Sequence, residues 1–267
     1  MPISAINGVQ IYWEADGVGS PLVLVHGSWG DHHNWAGVVP HLARTHQVVT
    51  YDRRGHSASE RVATQGSVDE DVADLAALMA ALRLPRAHVV GNSFGATIVL
   101  KLAATRPDLF ATLTAHEPPL IGLLGNDPAL TAVQARIGAV VATLQTGDHA
   151  GGARQFVDTV ALGPGMWDRL PSDMRQTFIQ NAPTWMDEVN DQDAFTLDLA
   201  RLETFDRPVL LTHGDQSPPF FGAILDRITG TLPQATRHLF SGAGHTPHLT
   251  HPDEFVRVVG AAASAPI

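Results

Sequence analysis

Ser93 stands in Gly91-Asn92-Ser93-Phe94-Gly95, directly after the aliphatic run His88 to Val90 and just ahead of Ala96 to Thr105, a stretch that reads as helix. A serine hydroxyl attacks a carbonyl only when it is exposed, held in place and relieved of its proton by an imidazole. The two glycines leave room for a sharp strand-to-helix turn that lifts the hydroxyl clear, and the helix amino terminus adds positive potential beneath it. Among 14 histidines, His245 is best placed as the base. It follows the small residues Ser241-Gly242-Ala243-Gly244, beyond a strand expected over Thr236 to Phe240 and before a helix starting near Pro252, so a short loop can carry the imidazole to the hydroxyl.

Three further segments accompany that pair. Val25-His26-Gly27-Ser28-Trp29-Gly30 closes the first aliphatic run, Asp52-Arg53-Arg54-Gly55-His56-Ser57 follows the second, and Gly244-His245 comes last. In this order and spacing the chain resembles the α/β-hydrolase superfamily over nearly its whole length. The resemblance implies an α/β fold with a mostly parallel eight-stranded sheet flanked by helices and an inserted helical cap. It also implies that the backbone N–H groups of Ser28 and Phe94 face the developing oxyanion, each donor worth about 3 to 4 kcal/mol. His26 and Arg54 are expected to fix backbone conformation through hydrogen bonds instead of doing chemistry.

The acid departs from the common pattern. Where many members carry Asp in Gly-x-x-Asp, the segment Gly214-Asp215-Gln216-Ser217 has Ser217, and Asp215 comes two residues early. A second location known in the superfamily, at the end of the strand after the nucleophile helix, holds Glu117, 24 residues beyond Ser93. That spacing, the His116-Glu117 pair, Ser217-Pro218-Pro219-Phe220-Phe221 and His248-Leu249-Thr250-His251-Pro252 resemble the zearalenone lactonases. The likeness implies Glu117 as the acid, with Asp215 in reserve; a Glu117 that merely caps its strand end and positions two prolines is the competing structural reading. Trp185, in Asn181-Ala182-Pro183-Thr184-Trp185, matches a cap tryptophan that touches substrate in those lactonases. Trp185 is therefore expected at the substrate, with core packing the alternative, and Trp29 is expected there too.

The elements that must hold these groups are visible as short aliphatic runs: Leu22 to Val25, Val48 to Thr50, His88 to Val90 and Val209 to Leu211. Such runs suit parallel strands covered on both faces. Val68 to Leu82 repeats apolar residues at helical spacing behind an acidic first turn and reads as a crossover helix. Val9 to Trp13 suggests an antiparallel edge hairpin closing near Asp16-Gly17. From Pro118 to Phe205 the strand-helix rhythm stops, and helical stretches alternate with Gly-Pro, Leu-Pro and Ala-Pro breaks. The core is thus expected over 1-117 and 206-267, with a cap over 118-205, and Gly260 to Pro266 as a frayed end.

Composition limits what remains. With 17 basic against 27 acidic residues and a formal charge of −10, neither nucleic acid nor an anionic membrane is an expected partner. The chain has no cysteine, which removes thiolate nucleophiles, disulfides and Cys-ligated metals. His32-His33 and His248 with His251 lack an evident carboxylate set, so no metal and no other cofactor is expected. No signal peptide or membrane span is apparent, pointing to the cytoplasm; a homodimer is conceivable through the cap surface. The expected activity is hydrolysis of an ester or lactone of an apolar small molecule. C–C bond hydrolysis, cofactor-free haloperoxidase chemistry, or a small-molecule receptor with a vestigial triad are the alternatives.

Overall fold

The computed structural model describes residues 2–264. Eight strands, β1 (Ile3–Ile6), β2 (Val9–Asp16), β3 (Ser20–Val25), β4 (His46–Tyr51), β5 (Ala87–Asn92), β6 (Phe110–His116), β7 (Val209–Gly214) and β8 (Ala235–Phe240), form one sheet in the order β1-β2-β4-β3-β5-β6-β7-β8. β1 and β2 pair antiparallel, as do β2 and β4, and every later pairing is parallel. The hairpin closes at Asn7-Gly8, whose φ values of 45° and 84° suit a two-residue turn. Closure near Asp16-Gly17 is therefore corrected. The chain leaves β2 there, and β4 separates β2 from β3, because the parallel strands take the sheet centre.

The main helices are α1 (Val68–Ala81), α2 (Phe94–Thr105), α3 (Thr131–Gln145), α4 (His149–Phe156), α5 (Ser172–Asn190), α6 (Phe220–Thr231) and α7 (Pro252–Ala263). α1 starts with a capping box in which Ser67 accepts from the Glu70 N–H and Glu70 accepts from the Ser67 N–H, satisfying two otherwise orphaned donors. Helices cover the sheet on both sides, leaving β5 and β6 buried along their whole length. Burial on both faces suits their centres, Val89-Val90 and Leu113, and the polar side chains they bury find partners, as His88 Nδ1 does with the Thr112 hydroxyl at 3.0 Å. The expected frayed tail is shorter than predicted: Gly260 to Ala263 complete α7, and residues 265 and 266 lie outside the described residues.

Between His116 and Val209 the described residues form helices and loops with no strand. One predicted break fails. α5 runs through Ala182-Pro183, although a proline inside a helix costs about 3 kcal/mol. Its buried face, with Asn181, Ala182, Thr184, Trp185 and Glu188, packs against the loop after β3, and that burial outweighs the lost hydrogen bond. No described helix is long and apolar enough to cross a membrane.

Candidate active site

β3 and β5 are neighbours, but the crossover from β3 goes to β4 on one side and the next returns to β5 on the other. The loops leaving their carboxyl ends part at this switch point, where open α/β sheets form crevices. One loop carries Ser28 and the other carries Ser93.

Ser93 caps α2 with φ 56° and ψ −124°. A non-glycine residue in the left-handed half of backbone space is strained and persists only when its surroundings hold it. Here the Ser93 N–H donates to the His116 carbonyl at 2.8 Å, tying the turn to the end of β6. The flanking glycines permit a very close approach. A Cβ on Gly91 would lie 2.3 Å from the Gly95 carbonyl oxygen, and one on Gly95 would lie 2.2 Å from that of Val25. A Cβ on Gly27 would come within 2.9 Å of the Ser93 Cβ, so the β3 loop passes directly beside the nucleophile turn.

Glu117, immediately after β6, is fully buried and also has a positive φ, of 47°. Its Oε2 accepts from His245 Nδ1 at 2.5 Å and its Oε1 accepts from the Gly214 N–H at 2.8 Å. Burial opposes the charged form, but the bond and charge of His245, the nearby His116 and the Gly214 amide pull the carboxyl down to about 2. Asp215 is elsewhere: its exposed carboxylate accepts from the Gly242 N–H at 2.8 Å and from the Ser241 hydroxyl at 3.2 Å. It braces the loop that carries His245, whose own carbonyl is held by Asn92 Nδ2 at 3.1 Å. The structure thus brings Glu117, and not Asp215, to the imidazole. Ser217, at the usual acid position, lines the cavity, and its Oγ has no partner among the described residues.

Ser93 and His245 share the floor of a cavity of about 640 Å³, walled largely by Phe156, Leu162, Met166, Leu170, Met174 and Phe178 from the inserted segment. Ser28 also reaches this cavity. Among the described residues its N–H has no acceptor, and Phe94, as the first residue of α2, has an N–H that no helical carbonyl can reach.

Trp29 and Trp185 are not on the cavity wall. They are 0% and 3% exposed and pack on each other at 5.2 Å between ring centroids, with Phe156 4.8 Å from Trp29. The expectation of substrate contact is corrected accordingly: both rings back the wall that Phe156 and Phe178 form, because large aromatic surfaces are spent joining α5 to the β3 loop.

His26 behaves as anticipated. Its Nδ1–H donates to the Gly27 carbonyl and its Nε2 accepts from the Arg53 N–H, and burial with the adjacent Arg53 lowers it to about 4. Arg54 binds Asp74 on α1 through two bonds, with only a long 3.5 Å contact to the Asn7 carbonyl, so it is an ion-pair residue more than a backbone clamp. His32 does have carboxylates nearby that the sequence did not reveal: Asp52 takes its Nδ1 at 2.7 Å, and Asp31 lies alongside. His248, expected in a polar loop, is buried against Trp35 and Phe255 with neither nitrogen bonded among the described residues.

A buried ionic cluster beneath the β3 loop was missed. Arg53 donates to Asp71 at 2.9 Å and to Glu188 of α5 at 2.8 Å, and Glu188 also accepts from Ser28 Oγ at 2.5 Å. Burial pushes the Glu188 carboxyl up to about 7 against the pull of Arg53 and Ser28, and the charge of Asp71 adds to the rise. A polar residue 135 positions from Arg53 leaves no local signal of the pairing.

The family model for the alpha/beta hydrolase fold matches residues 20–252. The chain belongs to the α/β-hydrolase family. It is 27% identical to the zearalenone hydrolase of Bionectria ochroleuca over 96% of this chain and 95% of that one, a distant homologue. It is similar to an α/β hydrolase structure from Sphaerobacter thermophilus, with a TM-score of 0.82 and 25% identity, covering 98% of this chain and 99% of that one. A match to the uncharacterized hydrolase YraK of Bacillus subtilis reaches 39% identity but spans only 46% of each chain. Matches at 26% identity include an esterase of Escherichia coli, over 90% of this chain and 91% of that one, and a 2-hydroxymuconate semialdehyde hydrolase of a Pseudomonas species, over 95% and 90%.

Proposed function

We propose that this hydrolase cleaves an ester or lactone bond in a small, mainly apolar molecule, using Ser93 as nucleophile, His245 as base and Glu117 as acid. The observation that carries the proposal is the 2.5 Å contact between Glu117 and His245 Nδ1, formed on the floor of the same cavity as Ser93. A carboxylate on Nδ1 fixes the tautomer that leaves Nε2 free to take a proton. In this reading the Ser93 hydroxyl attacks the carbonyl while Nε2 removes its proton, and the backbone N–H groups of Ser28 and Phe94 receive the oxyanion. His245 then protonates the departing alkoxide, and water attacks the acyl-enzyme by the same route in reverse. Residues 118–205 act as the cap, supplying the apolar wall that selects the substrate body. Neither the esterase nor the zearalenone hydrolase relative fixes the substrate, but both favour this class.

A C–C bond hydrolase is the second reading, favoured by the 2-hydroxymuconate semialdehyde hydrolase relative. Purified protein offered p-nitrophenyl esters, macrolactones and β-diketones, with a Ser93→Ala control, separates the readings. Turnover of the esters or lactones that vanishes in the control supports the first. Turnover confined to β-diketones replaces it with the second, and equal inactivity of protein and control on all of them removes both.

A further inference from the structure

The loop that is to receive the oxyanion is held from an unexpected direction. The Ser28 hydroxyl points away from chemistry and donates to Glu188 Oε2 at 2.5 Å, a contact between the β3 loop and α5. Glu188 is 5% exposed and its second oxygen accepts from Arg53 Nη2 at 2.8 Å. Arg53 in turn donates to the Gly27 carbonyl at 3.4 Å and places its guanidinium carbon 4.7 Å from the centre of the Phe94 ring. One buried cluster therefore touches Gly27, Ser28 and Phe94, the residues on both sides of the Ser93 hydroxyl.

Such a cluster is a poor stability device, since a buried ion pair barely recovers its desolvation and a hydrophobic replacement often does as well. Its geometry suits positioning, because oxyanion donors must converge to within a fraction of an ångström and gain strength when preorganised. We propose that Glu188 is a positioning residue for the oxyanion loop: it pins Ser28 through the hydroxyl and braces Gly27 and Phe94 through Arg53, so that the two N–H groups converge only when α5 is seated. The proposal rests on the serine-hydrolase reading above, and it assigns the Ser28 side chain a role separate from that of its N–H.

The test is steady-state hydrolysis of p-nitrophenyl butyrate at pH 8.5 by wild type, Ser28→Ala, Ser28→Thr, Glu188→Gln and the Ser28→Ala/Glu188→Gln double variant. Ser28→Ala keeps the amide and loses only the tether, so kcat is expected to fall about tenfold with KM within about twofold, a fraction of what deleting a whole donor removes. Ser28→Thr keeps a hydroxyl and restores most of the rate. Glu188→Gln falls similarly, and the double variant falls no further than the worse single variant, as residues acting through one contact must. If Glu188→Gln does not fold, the Ser28→Ala and Ser28→Thr pair decides alone. Wild-type kcat in Ser28→Ala, an effect confined to KM, no rescue by threonine, or multiplied losses in the double variant would overturn the proposal while leaving the hydrolase intact. A wild type that turns over neither p-nitrophenyl esters nor lactones overturns the ester-or-lactone reading, and this proposal falls with it.

Discussion

Glu117 is a buried charge that survives because its partners outweigh the cost of burial: an imidazole on one oxygen, a backbone N–H on the other. Removing that charge while keeping the shape strips the imidazolium of its support. Glu117→Gln is therefore expected to lower kcat by about 10³- to 10⁴-fold, whereas Asp215→Asn, which disturbs only the loop brace, should stay within about tenfold. Kinetics of the two amides side by side check this, and the reverse ranking would return the acid to Asp215. The same group has a stability signature. Its value is lowered from 4.5 to about 2, so its stabilisation is complete above about pH 4.5 and is lost as pH falls toward 2. Urea denaturation at stepped pH should show the gap between wild type and Glu117→Gln narrowing through that window. The nucleophile and base were legible because strand-turn-helix and strand-loop-His are local patterns. The acid was legible only through likeness, since nothing local tells a strand-end glutamate at a triad from one that caps its strand.

At the scale of elements, Ser93 and Glu117 directly follow strand ends and Trp29 lies in the loop after β3, all with positive φ, at 56°, 47° and 66°. Each loop turns sharply off the sheet just where the crevice opens; glycines flank the Trp29 and Ser93 turns, while Glu117 stands between His116 and Pro118. Gly95→Ala would press a methyl against the Val25 carbonyl and force α2 away from β3. We expect it to lower both the melting temperature and kcat, detectable by calorimetry and ester hydrolysis, because the Ser93 turn moves with α2. Trp185 illustrates a different dependence. Its ring joins α5 to Trp29 and lies behind the cavity wall, so Trp185→Ala should cost about 3 to 5 kcal/mol of stability, while Trp185→Phe, with less cavity to leave, should keep KM for a p-nitrophenyl ester within about threefold. A large KM change in a fully folded Trp185→Phe would put that ring back at the substrate. Aliphatic runs locate β3, β4, β5 and β7, because burial on both faces leaves such runs, whereas β6 is placed only through the family likeness and the half-exposed β8 carries no such run. Sequence patterns could not show which face of α5 meets the β3 loop, and so misplaced both tryptophans and missed Glu188.

Across the whole molecule, five buried histidines among the described residues are held neutral, and burial holds His56 well below its ordinary value. Burial lowers His26 and His88 to about 4 and His116 and His248 to about 3, with nearby positive groups adding to it. The unfolded chain binds protons on these residues as pH drops through about 6.5, and the folded chain does not. Their contribution is thus fully present above that value and is lost progressively toward pH 4 and 3, each at up to about 1.4 kcal/mol per pH unit. Melting temperature should fall steeply between pH 7 and pH 5, and His248→Leu, which removes a buried imidazole without breaking a bond to a described residue, should flatten the slope. An unchanged slope would mean that His248 is protonated in the fold. Composition reported 14 histidines but not their burial, so this sensitivity belongs to the tertiary structure alone.

The central claim is that Ser93 is a nucleophile activated by His245 and Glu117, and intact-mass analysis after reaction with a fluorophosphonate tests it most directly. One adduct is expected on wild type, located on Ser93 by peptide mapping, absent in Ser93→Ala and formed far more slowly in His245→Ala and Glu117→Gln. Folded wild type that takes up no probe, or an adduct that persists at the same rate in Ser93→Ala, would contradict it.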